Sequence, residues 1–326
     1  MAPVYKIALI QLQPKDVAVQ DNFSRAASFI RAAAAAGAHL AVLPEYHLTS
    51  WCPEHPEFVS SSFESWVYLN KYRQLARELN INIVPGTLCE VHPLPEDASS
   101  RATTTTTTGG DVIIPRHGEM QVELRNMAYF ISAGSGEIAG SYQKKNLWHP
   151  ERPHLTAGVH EPHTSFDIPL TTEGEDGKER QLRAGLLVCW DLAFPEAFRA
   201  LIADGADMVI VPSFWHLTDV DPTARGLNPM CEKLFLESVA VARAFENTCA
   251  VVFCNSGGCS QVAMPILGSI GEDGKAGGKT MDMNQEEMKI LEVDFGVLRL
   301  AEQNYKVRED MQGKGWHYGY TLTRDT

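Results

Sequence analysis

Arg183-Ala184-Gly185-Leu186-Leu187-Val188-Cys189-Trp190-Asp191-Leu192-Ala193-Phe194-Pro195-Glu196 starts as an apolar run and ends in a cysteine, a proline and the first residues of a helical pattern. The run reads as a buried strand, and Glu196 to Ala203 reads as a helix after the turn. A cysteine at such a corner has two readings. The unpaired N–H groups of a helix start favour thiolate over thiol and can hold a developing oxyanion. A buried free cysteine is more commonly just a small hydrophobe.

Outward from this corner, strands and helices alternate. Tyr5 to Leu12 reads as a strand. Asp21 then caps a helix to about Ala36, with Phe23, Ala26, Ala27, Ile30, Ala33 and Ala34 on one face and Gly37 as its stop. His39 to Leu43 is a short buried strand that runs straight into Pro44-Glu45-Tyr46. Ser65 to Leu79 is helical, with Trp66, Leu69, Tyr72, Leu75, Ala76 and Leu79 in period, and Ile81 to Leu88 is the next strand. Residues 91 to 120 hold Pro93, Pro95, the threonines Thr103 to Thr108 and Gly109-Gly110, and read as a mobile surface insertion.

Leu124 to Ile131 and Ile138 to Tyr142 form a predicted hairpin, and its second strand leads into Gln143-Lys144-Lys145-Asn146-Leu147-Trp148. Residues 171 to 180 read as a polar turn before the cysteine strand. Met208 to Pro212, Ala250 to Cys254 and Ile290 to Phe295 are further strands, and Cys231 to Ala244 is a helix. From about Gln303 the tail lacks periodicity and reads as a C-terminal extension. The alternation argues α/β, and no linker divides residues 1–326, so one domain is expected.

Composition narrows the function. The 326 residues are 44% hydrophobic and 21% charged, as expected of a soluble globular protein. With 28 basic against 41 acidic side chains the net charge is −13, which repels nucleic acid and anionic membranes. No apolar run is long enough to span a bilayer, and residues 1 to 10 alternate like a strand rather than a signal sequence. Seven scattered cysteines, an odd number, read as reduced thiols in a cytoplasmic setting.

Glu45, Lys144 and Cys189 each follow an apolar strand, and strand ends in α/β sheets converge on one crevice. Alone, Glu45 and Lys144 are ordinary solvated loop charges. Together the three supply acyl transfer: a thiol to attack a carbonyl, a carboxylate to carry its proton, and an ammonium to hold the oxyanion.

On Leu43-Pro44-Glu45, Tyr142-Gln143-Lys144-Lys145-Asn146-Leu147 and Cys189 to Glu196, the sequence resembles the nitrilase, or carbon–nitrogen hydrolase, superfamily. Gly205-Ala206-Asp207, Pro212-Ser213 and Ala242 to Asn247 extend the likeness over about residues 5 to 300. The resemblance implies a four-layer α-β-β-α sandwich, no metal or organic cofactor, and a homodimer or larger homo-oligomer. It makes Glu45, Lys144 and Cys189 the catalytic set, and Glu151 a second glutamate that orients the lysine. Trp190 supplies a backbone oxyanion donor, and Trp148, Ser213 and Trp215 line the substrate site.

The implied reaction cleaves a small amide or N-carbamoyl compound through a cysteine thioester. Two positions depart from the pattern: Ala193 stands where many relatives have arginine. Asp191 replaces the Glu-Asn of true nitrilases, which leans the substrate toward an amide. Nitrile hydrolysis, acyl transfer to an amine and a non-catalytic binding protein remain as alternatives. The loops Trp51 to Phe63, Trp148 to Leu155 and Ser213 to Arg225 are expected to shape the pocket. Cys249, Cys254 and Cys259 lack a C-x-x-C pair, and His149, His154, His160 and His163 lack a zinc spacing, so neither set reads as a metal site.

Overall fold

The computed structural model describes residues 3–94, 116–117, 120–173 and 178–320. In chain order the first half contains β1 (Val4–Gln11), α1 (Val19–Ala35), β2 (Leu40–Val42), α2 (Phe58–Ser62) and α3 (Ser65–Leu79). Next come β3 (Asn82–Val84), β4 (Thr87–Pro93), β5 (Arg116–His117), β6 (Met120–Ile131) and β7 (Ile138–Gln143). The second half contains β8 (Phe166–Glu173), β9 (Glu179–Leu186), α4 (Pro195–Ala203), β10 (Met208–Ser213), α5 (Pro222–Leu227) and α6 (Cys231–Asn247). It closes with β11 (Ala250–Asn255), β12 (Gln261–Met264), β13 (Gly268–Ser269), β14 (Glu287–Asp294), α7 (Gly296–Tyr305) and α8 (Val307–Gln312).

These strands make two sheets. One has the order β14-β1-β2-β3-β6-β4, with β5 and β7 also paired to β6; the other runs β13-β12-β11-β10-β9-β8. The centre of each is parallel, β1-β2-β3 in one and β9-β10-β11 in the other. The layering follows from the period-two alternation of a strand. In β1, Ile7 and Leu9 join a core shared with Leu186, Val209 and Val211 of the facing sheet. Ala8 and Ile10 point the other way, onto Ala26, Ile30 and Ala33 of α1 and Tyr72, Leu75 and Ala76 of α3. Helices α4 and α6 pack on the outer face of the second sheet through Phe198, Leu201, Leu236 and Ala240. The result is the expected α-β-β-α sandwich.

Several local expectations change. Asp21 lies inside α1 rather than capping it, where it pairs with Lys15 at 3.0 Å and Arg25 at 3.2 Å. A carboxylate in the first turn still complements the helix dipole. Trp66, placed on the buried face of its helix, is 62% exposed, and Tyr68 is buried instead. The strand at 81–88 is interrupted at Pro85-Gly86 into β3 and β4, both paired to β6. The polar turn at 171–180 is shorter than expected, because 171–173 and 179–180 extend a β8–β9 hairpin.

At the insertion, residues 91–93, 116–117 and 120 are strand; 95–115 and 118–119, with the threonine run, lie outside the described residues. The tail is helical over 303–305 and 307–312. Arg308 and Met311 of α8 are buried, an Arg308 guanidinium N–H donates to the Ala206 carbonyl, and Glu302 Oε1 accepts from the Arg308 and Glu309 N–H groups.

Candidate active site

Glu45, Lys144, Glu151 and Cys189 meet in one buried place. Glu45 follows β2, and a sharp turn at Tyr46, with φ of 51°, directs the chain away. Gly86 makes this turn possible. A Cβ there would lie 1.8 Å from the Pro44 carbonyl oxygen, so only glycine lets the two strand ends approach. Lys144 continues the β6–β7 ladder, its N–H donating to the Asn126 carbonyl at 2.9 Å. Cys189 ends the apolar run after β9, opens a 3-10 turn (Cys189–Ala193) and has φ of 47°, a strained conformation for a residue with a side chain.

The carboxylate of Glu45 is fully buried and fully engaged. Its Oε1 accepts from Lys144 Nζ at 2.8 Å and Asn126 Nδ2 at 2.8 Å; its Oε2 accepts from the Phe214 N–H at 2.9 Å. Lys144 Nζ also donates to Glu151 Oε1 at 2.7 Å. Glu151 accepts in addition from the Tyr46 hydroxyl at 2.6 Å and the Trp148 N–H at 2.8 Å. An ammonium has three donors, so one N–H of Lys144 stays available. Lys145 turns aside, donating to the Gly158 carbonyl at 2.7 Å, which separates the two adjacent lysines.

Burial raises the Glu45 carboxyl to about 7; Lys144 opposes the rise, and Glu151 adds to it. Burial also acts against the Lys144 charge, but the Glu151 and Glu45 carboxylates outweigh it and hold the ammonium above its ordinary range. Burial, reinforced by Glu45, pushes the Cys189 thiol well above its ordinary value. Desolvation acts toward the thiol here, against the thiolate-favouring dipole of the turn.

Ser213 does not line the cleft. It is fully buried, its carbonyl accepting from the Glu45 N–H at 3.3 Å, and its hydroxyl lacks a well-formed hydrogen bond while facing Cys189. Trp148, Trp190 and Trp215 do line, with Cys189, a cleft of about 800 Å³. The loop at 51–63 turns away from it. Trp51 stacks on Tyr46 at 4.9 Å and meets Phe58 at 5.7 Å, backing the Glu45 turn. Among the four expected non-ligand histidines, His149 lines the cleft, His154 lies beside Glu54 and His163 stacks on Tyr142.

Sequence reading missed Asn126 and the structural role of Asp191. Asp191 is buried behind the site. Its Oδ2 accepts from the Tyr142 hydroxyl and the Val188 N–H at 2.9 Å each, and its Oδ1 from Asn146 Nδ2 at 2.8 Å and the Asn146 N–H at 3.0 Å. It ties the cysteine turn to the lysine loop and does not touch the cleft. Burial raises its carboxyl, and the Val188 and Asn146 donors counter that. Asn255 braces the third loop, accepting from the Trp215 N–H at 2.8 Å and donating to the Trp215 carbonyl at 2.8 Å.

The carbon–nitrogen hydrolase family model matches residues 6–303. The chain belongs to the carbon–nitrogen hydrolase family. A probable nitrilase of Schizosaccharomyces pombe is 30% identical to this chain over 174 residues, 52% of this chain and 54% of that one. The omega-amidase of Homo sapiens is 26% identical over 218 residues, 66% of this chain and 65% of that one. The matched stretch thus spans between half and two thirds of these relatives. Nit3 of Saccharomyces cerevisiae, a member of branch 10 of the nitrilase superfamily, has the same fold. Its TM-score is 0.64 at 22% identity, covering 93% of this chain and 94% of that one. A carbon–nitrogen hydrolase from Helicobacter pylori gives a TM-score of 0.67 at 17% identity, covering 94% of each chain.

Proposed function

We propose that this protein hydrolyses the carbon–nitrogen bond of a small amide or N-carbamoyl compound through a thioester on Cys189. The observation that carries the reading is the buried meeting of Glu45, Lys144 and Cys189, with the ammonium bonded to the carboxylate and the cysteine at the wall of a cleft. Similarity to proteins named as amidases supports it. Cys189 Sγ attacks the carbonyl carbon as its proton passes to Glu45. The oxyanion is held by the free N–H of Lys144 and the Trp190 backbone N–H. Glu45 returns the proton to the nitrogen, the C–N bond breaks, and ammonia or an amine leaves. Water then adds to the thioester carbon while Glu45 takes its proton. The thiolate departs, recovers that proton, and the acid is released.

Glu151 positions rather than reacts: it orients Lys144 and is itself held by Tyr46 and the Trp148 N–H. The same reading places the enzyme in the cytoplasm as a homodimer or larger assembly, which light scattering of the purified chain tests. For the chemistry, purified protein is given primary amides and N-carbamoyl amino acids, and ammonia is measured. Release by the wild type and its loss in Cys189→Ala, by about 10³-fold or more, is the expected result. Undiminished turnover in Cys189→Ala sinks the mechanism. With an added amine, an N-substituted amide product in place of the acid redirects the thioester from water to acyl transfer.

A further inference from the structure

Beyond the nucleophile the cleft walls are of one chemical kind. The rings of Trp190 and Trp215 lie 5.3 Å apart, and Phe235 packs against Trp215 at 5.4 Å. The same walls carry Asp219, Asp221 and Glu232 against a single guanidinium, Arg225. Asp221 is exposed and caps α5 through the Thr223 and Ala224 N–H groups. Three carboxylates against one guanidinium leave a surplus of negative charge, and Asp219 and Glu232 are the half-buried pair.

These two carboxylates are fixed by neutral donors. The Trp215 indole N–H donates to Glu232 Oε2 at 2.6 Å, and the His216 backbone N–H donates to Asp219 Oδ2 at 2.8 Å. Among the described residues no lysine or arginine is paired with either. Burial lifts the Asp219 carboxyl to about 6 against the pull of the His216 N–H, and Glu232 adds to the lift. Deeper in, Glu45, Glu151 and Lys144 offer an anionic chain no surplus positive charge.

Aromatic faces beside uncompensated carboxylates attract an organic cation: the ring quadrupoles and the charges act together, and the ring surfaces take the alkyl stem. We propose that the substrate is an amide whose chain ends in an ammonium or guanidinium group. That group sits between Asp219 and Glu232 against Trp215, while the carbonyl meets Cys189. The inference rests on the reading of Cys189 as the nucleophile toward an amide.

The test compares an ω-aminoalkyl amide with the methyl-terminated and carboxylate-terminated amides of the same length. Binding to Cys189→Ala is measured by calorimetry, so no turnover is needed. The aminoalkyl amide binds at least about tenfold more tightly than the methyl-terminated one, and the carboxylate-terminated one most weakly. Adding Glu232→Gln, which keeps an acceptor for the Trp215 indole, brings the ratio of the first two toward one. Asp219→Asn, made separately, lowers the same ratio. An aminoalkyl amide that binds no better than its neutral match, or a ratio that survives both substitutions, overturns the proposal. Turnover is a separate readout. Selective cation binding without ammonia release by the wild type refutes the hydrolytic reading and leaves the cation site standing.

Discussion

Glu45 has to accept a proton from sulfur and then surrender it to nitrogen, a task that suits a carboxyl poised near neutrality. Burial supplies that poise by raising it from the usual 4.5 to about 7, with Lys144, Glu151, Cys189 and Tyr46 as its titratable neighbours. Only the ionised form is a base, so kcat/KM should climb as pH rises through about 7 and then level off. Lys144, held above its ordinary range by two carboxylates, stays charged over that span. Glu45→Gln should lower kcat by about 10²–10⁴-fold and remove the climb; a pH–rate profile whose ascending limb survives the substitution would refute the assignment. Stability has the opposite sign. A carboxyl that binds its proton more tightly when folded contributes fully below pH 4.5, and the contribution is lost as pH rises through about 7.

At this scale Glu45, Lys144 and Cys189 are legible only together, as three ordered motifs at strand ends. Asn126 sits mid-strand, 81 residues from the carboxylate it serves, and no local pattern marks it. Asp191 stands in a legible motif, yet its four hydrogen bonds point backwards, which spacing alone does not reveal.

Three turns carry the reactive groups, and Asp191 joins two of them, those of Lys144 and Cys189. Its Oδ2 receives two donors, a tyrosine hydroxyl and a backbone N–H, so an amide nitrogen in that place would set donor against donor. Asp191→Asn is therefore expected to cost about 1–3 kcal/mol of stability. It should lower kcat more than it raises KM, because the turn that holds Cys189 loosens while the cleft walls remain. Urea unfolding and steady-state kinetics check this; a loss confined to KM would place Asp191 in substrate contact instead. Elements with a clean period were readable: β1, α3, β10 and β11 lie within a residue or two of where their apolar pattern puts them. Strand β8 alternates, with Ile168, Leu170 and Thr172 inward, but Pro169 in its middle argues against a strand, and β12 is only four residues long. Helices α7 and α8 are short and mostly exposed; α7 docks through Leu298 and Ala301 and α8 through Arg308 and Met311, too few positions to stand out as a period.

Each sheet brings half of the chemistry. Glu45 and Lys144 extend from strands of the sheet that contains β1, and Cys189 and Phe214 from strands of the one that contains β10. Glu45 makes two hydrogen bonds between them, its N–H to the Ser213 carbonyl and its Oε2 from the Phe214 N–H, and Asp191 accepts three more from Tyr142 and Asn146. A displacement of one half against the other by about 1 Å would separate sulfur from base while leaving most buried area in place, and misplacement of that size costs about 10²-fold in rate. Turnover thus acts as a strain gauge for the junction of the two slabs. On gentle warming, catalytic loss should precede the change in tryptophan fluorescence that reports melting. Simultaneous loss would mean that the slabs come apart only when the whole molecule does.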